Sequence, residues 1–299
     1  MTAPLLEVRN LTKEFPLRET GFRRRRVLRA VDDVSFTVAP GEALGLVGES
    51  GSGKSTTARC VMRLIEPTSG HVTFAGEDLM ALRGARLRRV RRGIQMVFQD
   101  PFSSLDPRMR VQDIIAEGMV IHRTPPDSRA RQARVAELLE LVGLRPDHLT
   151  RRPASFSGGE RQRIGIARAL ALEPQLLICD EPVASLDVSI QAQILNLFKD
   201  LQRELGLTII YIAHDLATVR HLCDRIAVMQ EGRIVECGDR TQIYTAPRSE
   251  YTKELIAAAP VPDPVRQREK QEQHAALRRS LRAADAAPAA RIQSQGVEQ

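Results

Sequence analysis

The run Gly48-Glu49-Ser50-Gly51-Ser52-Gly53-Lys54-Ser55-Thr56 constrains this chain more than any other segment. It fits the pattern G-x-x-x-x-G-K-[ST], and its flanks matter as much as its spacing. The apolar residues Ala43-Leu44-Gly45-Leu46-Val47 precede it and predict a buried strand. The segment Thr57 to Leu64 follows it and predicts a helix. Strand, glycine loop and helix form the arrangement in which backbone N–H groups turn inward around phosphate oxygens. The helix N-terminus adds partial positive charge there. The pattern therefore predicts a phosphate cradle made by Gly48, Glu49, Ser50, Gly51, Ser52, Gly53, Lys54, Ser55 and Thr56. Lys54 is expected to reach the β- and γ-phosphates of a nucleotide, and the Ser55 hydroxyl to ligate Mg²⁺.

Two further runs add to this. Phe156-Ser157-Gly158-Gly159-Glu160-Arg161-Gln162 is followed downstream by the apolar run Leu176-Leu177-Ile178-Cys179, which ends in Asp180-Glu181. The first resembles the signature sequence of ABC ATPases, usually written LSGGQ. The second resembles a Walker B strand with a second carboxylate directly after it. The order of phosphate loop, signature and Walker B is that of the ABC family.

Composition bounds what surrounds these motifs. The 299 residues suffice for one large domain or two small ones, and no apolar run approaches the length of a membrane span. Met1 to Asn10 lacks a basic-then-apolar leader, so a cytoplasmic chain is expected, with any membrane role lent by a spanning partner. The net charge is +7 and owes most to arginine, with one block at Arg23 to Arg26 and another at Arg83, Arg86, Arg88, Arg89, Arg91 and Arg92. Nucleic-acid binding is one reading of such blocks. With 4% aromatics and no tryptophan, stacking platforms are scarce, which points instead to a solvated or headgroup-facing surface. The four cysteines, Cys60, Cys179, Cys223 and Cys237, form no C-x-x-C pair, so neither a zinc site nor a disulfide framework is indicated.

The chain reads as an α/β fold: a P-loop NTPase core with a mixed, largely parallel sheet, an antiparallel β subdomain and a helical insertion. Strands are predicted at Leu6 to Val8, Val34 to Val38, His71 to Phe74, Ile94 to Phe98, Thr208 to Ala213, Arg225 to Met229 and Arg233 to Glu236. The polar stretch Arg18 to Arg26 predicts an exposed loop. Helices are predicted from Gly159 to Leu172 and from Ile190 to Leu205. In the insertion, the spacing of Val135, Leu138, Leu139 and Val142 predicts a helix that stops at Gly143. The ATPase domain is expected to span residues 1–260, with its helical subdomain at 101–165. Residues 261–299, opened by prolines and rich in alanine, predict a tail that is disordered or partly helical.

The site follows from strand ends. Asp180 closes a buried strand and suits Mg²⁺, and Glu181 beside it suits a general base for the attacking water. Gln99 follows the strand Ile94 to Phe98, where its amide oxygen can meet Mg²⁺ and its NH₂ a water. His214 follows the strand Thr208 to Ala213. In the ABC family these positions resemble the Q-loop glutamine and the switch histidine. Phe15 resembles the aromatic that stacks on adenine, though edge packing explains it as well. Ser157, Gly158, Gly159 and Glu160 open a helix; the resemblance implies that they meet the γ-phosphate held by a second subunit, two domains sandwiching two ATP molecules head to tail. Asp187 in Ala184-Ser185-Leu186-Asp187 resembles the D-loop of that interface, and it equally suits an N-cap.

Longer runs narrow the branch. Phe98-Gln99-Asp100-Pro101-Phe102-Ser103-Ser104-Leu105-Asp106-Pro107-Arg108, the stretch Cys179 to Gln193, and His214-Asp215-Leu216-Ala217-Thr218-Val219-Arg220 resemble the ATPases of the peptide/nickel importer branch. The resemblance implies ATP and Mg²⁺ as cofactors, two transmembrane permeases and a second ATPase, identical or similar, as partners, and an extracytoplasmic solute-binding protein acting indirectly. It places the chain peripherally on the cytoplasmic face of the inner membrane and implies no nucleic acid. The alternative is a soluble ABC ATPase in an enzyme or nucleic-acid complex, such as C–P lyase. Three departures stand out: Glu160 replaces the usual signature glutamine, Ala184-Ser185 reverses the usual order, and no cysteine cluster follows the core.

Overall fold

The computed structural model describes residues 3–17, 27–100 and 103–258. The expected basic loop at Arg18 to Arg26 and the expected tail at 261–299 lie outside the described residues. In chain order the strands are β1 (Leu6–Pro16), β2 (Val27–Val38), β3 (Ala43–Val47), β4 (Ser69–Phe74), β5 (Glu77–Asp78), β6 (Ile94–Val97), β7 (Leu176–Asp180), β8 (Thr208–Ala213), β9 (Arg225–Gln230) and β10 (Arg233–Asp239). The α-helices are α1 (Lys54–Val61), α2 (Gly84–Arg92), α3 (Val111–His122), α4 (Ser128–Leu141), α5 (Gly158–Leu170), α6 (Val188–Leu205), α7 (Leu216–Leu222), α8 (Arg240–Thr245) and α9 (Glu250–Ala258).

Two sheets result. The larger has the order β10-β9-β3-β8-β7-β6, parallel throughout except for β10 at its edge. The smaller, β2-β1-β4-β5, is antiparallel. The central strands β3, β7 and β8 are buried along their whole length, as strands covered on both faces must be. Their side chains alternate between two cores. Leu44, Leu46, Ile178 and Ile210 face the core under the antiparallel sheet, while Ala43, Leu177, Cys179 and Ile209 face the core on the helical side. Each fully buried aliphatic side chain contributes about 1.5–3 kcal/mol.

Strands β1 and β2 run further than the alternation of apolar residues predicts. Asn10 and Asp33 interrupt that alternation with φ values of 48° and 57°, in the left-handed region that these two residue types tolerate. The Asn10 amide donates to Asp33 Oδ1 at 2.8 Å, and the ladder resumes beyond the bulge. Helix α1 begins three residues earlier than expected, inside the motif, so the last motif residues form its first turn. It ends by Val61 because Arg63 turns left-handed and lets the N–H groups of Arg63 and Leu64 bond back to the carbonyls of Cys60 and Arg59.

The insertion holds α3 and α4. Val111, Ile114, Ile115 and Met119 bury one face of α3, and Val135, Leu138 and Leu139 bury one face of α4. Gly143, with φ 74°, follows α4 as its stop. The second arginine block lies in α2 from Arg86 on, with Arg83 at its N-cap, and the only buried residue of the helix is Val90. Arg91 is not solely a solvated charge: its guanidinium Nε donates to the Met62 carbonyl at 3.2 Å, at the end of α1.

Candidate active site

Because β3, β6, β7 and β8 are parallel, their carboxyl ends share one edge of the sheet, where ligands of open α/β sheets bind. That edge collects the phosphate loop after β3, Gln99 after β6, Asp180-Glu181 at the end of β7 and His214 after β8.

The loop depends on two glycines. A Cβ on Gly48 would lie 2.1 Å from the Met229 carbonyl oxygen, and one on Gly53 would lie 2.2 Å from that of Ala30. Both also hold positive φ, 154° and 102°. The turn between β9 and β10 closes on the loop as well, with the Gly232 N–H donating to the Ser52 carbonyl at 3.0 Å. Lys54 is buried, and its ammonium donates to the carbonyls of Gly48 and Glu49 at 2.7 and 2.8 Å. Burial lowers its pKa, opposed by the carboxylates of Glu181, Asp180 and Glu49. Glu49, Ser50 and Gly51 are exposed, while Ser55 and Thr56 are half-buried in the first turn of α1.

Ser55 Oγ donates to Asp180 Oδ1 at 2.7 Å. Asp180 is 3% exposed, and burial raises its pKa against the lowering effects of Ser55, Arg59 and Lys54. A hydroxyl and a buried carboxylate are hard oxygen donors, which fits Mg²⁺; that ion takes few protein ligands and completes its shell with water and phosphate.

Glu181 has φ 45°, a left-handed conformation that costs a non-glycine residue about 1–3 kcal/mol and concentrates at functional sites. Its N–H donates to the Ile212 carbonyl at 3.1 Å, which fixes it against the end of β8. Its Oε2 receives the Gln99 amide at 3.2 Å and lies 3.4 Å from His214 Nδ1. Two residues from two other strand ends, Gln99 and His214, thus converge on one carboxylate oxygen of Glu181.

Phe15 is half-buried near the end of β1, opposite Leu28, and Lys13 Nζ stands 5.0 Å from its ring centroid. That cation–π contact is a packing partner the sequence did not suggest.

Ser157 and Glu160 form a capping box at the start of α5. Glu160 Oε2 receives the Ser157 N–H at 2.9 Å and its hydroxyl at 2.8 Å. These bonds from Ser157 lower the pKa of Glu160, and burial opposes them. Gly159 is constrained for a different reason: a Cβ there would lie 2.5 Å from Ile190 Cγ2 on α6, so that side chain or its helix would have to shift. Asp187 occupies the N-cap position of α6 as expected, but its side chain makes no capping hydrogen bond, and its carbonyl receives the Gln191 N–H at 2.8 Å. Its exposed carboxylate is therefore not used by the helix that it precedes.

Tyr251 escaped the sequence reading. Its hydroxyl receives the Glu49 N–H of the phosphate loop at 3.0 Å. The pair is 202 residues apart, and no local pattern announces it.

The ABC transporter family model matches residues 31–184, a segment that holds the phosphate loop, Gln99, the signature run and Asp180-Glu181. The chain belongs to the ABC transporter family. It is an ATPase of that family. It is 51% identical over 265 residues to an oligopeptide transport ATP-binding protein, OppF, of Bacillus subtilis (strain 168), covering 88% of this chain and 85% of the relative. It is 54% identical over 269 residues to a probable peptide ABC transporter ATP-binding protein of Sinorhizobium fredii, covering 90% and 76%. Among solved structures it resembles the dimeric post-hydrolysis state of the ATP-binding cassette MJ0796 bound to ADP and Pi, with TM-score 0.69, 28% identity and coverage of 79% and 98%. It also resembles cbiO1 of Clostridium perfringens, part of an ABC transporter complex, with TM-score 0.69, 28% identity and coverage of 81% and 91%.

Proposed function

We propose that this ABC ATPase is the motor subunit of a peptide importer, working beside a second ATPase, identical or similar, beneath two membrane-spanning permeases. Its place is then peripheral, on the cytoplasmic face of the inner membrane. Among the described residues no helix is long and apolar enough to cross a membrane, which accords with a role that relies on spanning partners. The peptide assignment rests on the relatives named above, whose resemblance covers most of both chains. The particular peptide is chosen by the permeases and an extracytoplasmic binding protein.

The observation that carries the mechanism is the convergence of Gln99 and His214 on Glu181 Oε2, beside the bond between Ser55 and Asp180. Backbone N–H groups of the loop Gly48 to Thr56 would meet the phosphate oxygens, and Lys54 would neutralise charge between the β- and γ-phosphates. Ser55, Asp180 and Gln99 would hold Mg²⁺, which when bound would neutralise charge developing on the phosphate oxygens. Glu181 accepts the proton of the attacking water, and its neighbours Gln99 and His214 fix the direction in which its carboxylate points. His214 also reaches toward the γ-phosphate, and Phe15 stacks on the adenine.

Ser157 and Glu160 bond to each other rather than to the phosphate loop of their own chain. This arrangement supports a site completed in trans: Ser157, Gly158, Gly159 and Glu160 face the γ-phosphate on a second subunit, and Asp187 crosses the interface. ATP binding closes the pair and hydrolysis reopens it.

The test is affinity purification of the Glu181→Gln chain with ATP from detergent-solubilised membranes. Co-elution of two multispanning permeases and a second ATPase is the expected result. Recovery of soluble partners or nucleic acid alone would replace the importer with a soluble ABC complex.

A further inference from the structure

One peptide unit of the phosphate loop is gripped from both sides. The Gly48 carbonyl receives Lys54 Nζ at 2.7 Å, and the Glu49 N–H of the same peptide donates to the Tyr251 hydroxyl at 3.0 Å. In a trans peptide the C=O and N–H point in opposite directions, so the two contacts lie on opposite edges of one plane. We propose that Tyr251 is a positioning residue for the phosphate loop, holding the Gly48–Glu49 peptide so that its carbonyl keeps Lys54 in place. The proposal rests on the reading of Gly48 to Thr56 as the cradle for ATP phosphates.

The loop needs an outside hold. Gly48 has φ 154° and Gly51 has φ 85°, and glycines let the intervening peptides rotate with little steric resistance. The rotation of this peptide decides whether its carbonyl meets Lys54. A hydrogen bond to the far edge limits that rotation without occupying the space where phosphate binds.

Tyr251 can serve because its own position is fixed. It stands in the first turn of α9, and with Leu255 and Ile256 it packs against the helical-side core. The start of α9 is bound to β10 through Glu236, which is only 8% exposed. The carboxylate of Glu236 receives the N–H groups of Arg248 and Ser249 at 2.9 and 3.0 Å and the Gln242 amide at 2.9 Å. A carboxylate just ahead of a helix is also favoured by the helix dipole. The chain of contacts therefore runs from β10 through Glu236, the start of α9 and Tyr251 to the peptide that holds Lys54.

The second contact of this C-terminal unit falls at the same edge of the sheet. The Tyr244 hydroxyl on α8 donates to the Leu216 carbonyl, two residues after His214. The unit thus touches the loop after β3 and the segment after β8.

The test uses the full chain with ADP titration, steady-state ATP kinetics and amide exchange. Tyr251→Phe removes one oxygen and keeps the ring. The expected result is a rise in the ADP Kd of about two- to tenfold. The ATP KM should rise by more than kcat falls, and exchange at the Glu49 amide should accelerate. The Tm without nucleotide should move by less than about 2 °C, as expected when the core is intact. A lowered Tm with unchanged Kd and unchanged Glu49 exchange would show a merely structural tyrosine and overturn the proposal. Lys54→Ala runs in parallel. If it abolishes ADP binding while Tyr251→Phe leaves affinity unchanged, the tyrosine assignment alone fails. If Lys54→Ala retains full affinity, the phosphate reading of the loop fails and the proposal falls with it.

Discussion

Ser55 Oγ lies 2.7 Å from Asp180 Oδ1, which ties the first turn of α1 to the end of β7 across 125 residues. The carboxylate is buried, and burial raises its pKa. A carboxyl whose folded pKa is raised opposes folding increasingly as pH climbs above its unfolded value. Asp180→Asn removes that charge. The variant should melt a few degrees higher without nucleotide and lose at least about tenfold in Mg²⁺-dependent ATPase activity. Thermal melts and steady-state kinetics on the same preparations check both directions.

Glu181 is the meeting point of Gln99 and His214. Glu181→Gln keeps the shape and removes the carboxylate proposed as the base. Turnover should fall by about 10²–10⁴-fold while ATP still binds and traps a dimer visible by light scattering. Retention of more than a few per cent of turnover would end the general-base assignment.

Gly159 meets Ile190 closely: a Cβ would sit 2.5 Å from Ile190 Cγ2. Gly159→Ala should cost about 1–3 kcal/mol by forcing α5 and α6 apart. The double variant Gly159→Ala, Ile190→Ala should recover part of that loss in urea denaturation. Additive losses would show that the clash is not the cause.

Glu160 stands where the ABC signature usually has glutamine, and its carboxylate holds the Ser157 hydroxyl at 2.8 Å. If Ser157 meets a partner's γ-phosphate, that negative charge opposes closure. Glu160→Gln should therefore lower the ATP concentration needed for dimerisation by about two- to tenfold, an effect that shrinks as salt rises. Ultracentrifugation across ATP concentrations at low and high salt reads it directly.

The parts of the site that were legible in sequence are contiguous or follow buried strands. The phosphate loop and Asp180-Glu181 are local patterns, and Gln99 and His214 each close an apolar run. Helix α2 was illegible because its apolar stripe is only Leu87 and Val90, set among arginines. The lengths of β1 and β2 were obscured by the bulge at Asn10 and Asp33, which breaks the period-two pattern while the ladder continues. Asp187 shows the limit of residue-type rules: it takes the N-cap position without making the bond that justifies the preference. The contact of Tyr251 joins segments 202 residues apart, so no local pattern marks it.

Glu236 sets up the last prediction. Burial works against its charge, but the N–H groups of Arg248 and Ser249, with the Gln242 amide, outweigh it and hold its carboxyl at about 2. A depressed carboxyl pKa contributes stability that is fully present above the unfolded value of about 4.3 and is lost as pH falls toward the folded value. Glu236→Gln replaces one acceptor oxygen with an NH₂ that faces other donors. The loss at pH 7 should be about 1.5–3 kcal/mol, the range for a hydrogen bond to a charged group. The gap between wild type and variant should close between about pH 4.3 and pH 2. Urea denaturation at intervals across that range measures it, and a gap that stays constant with pH would mean that packing, not the carboxylate, secures the start of α9.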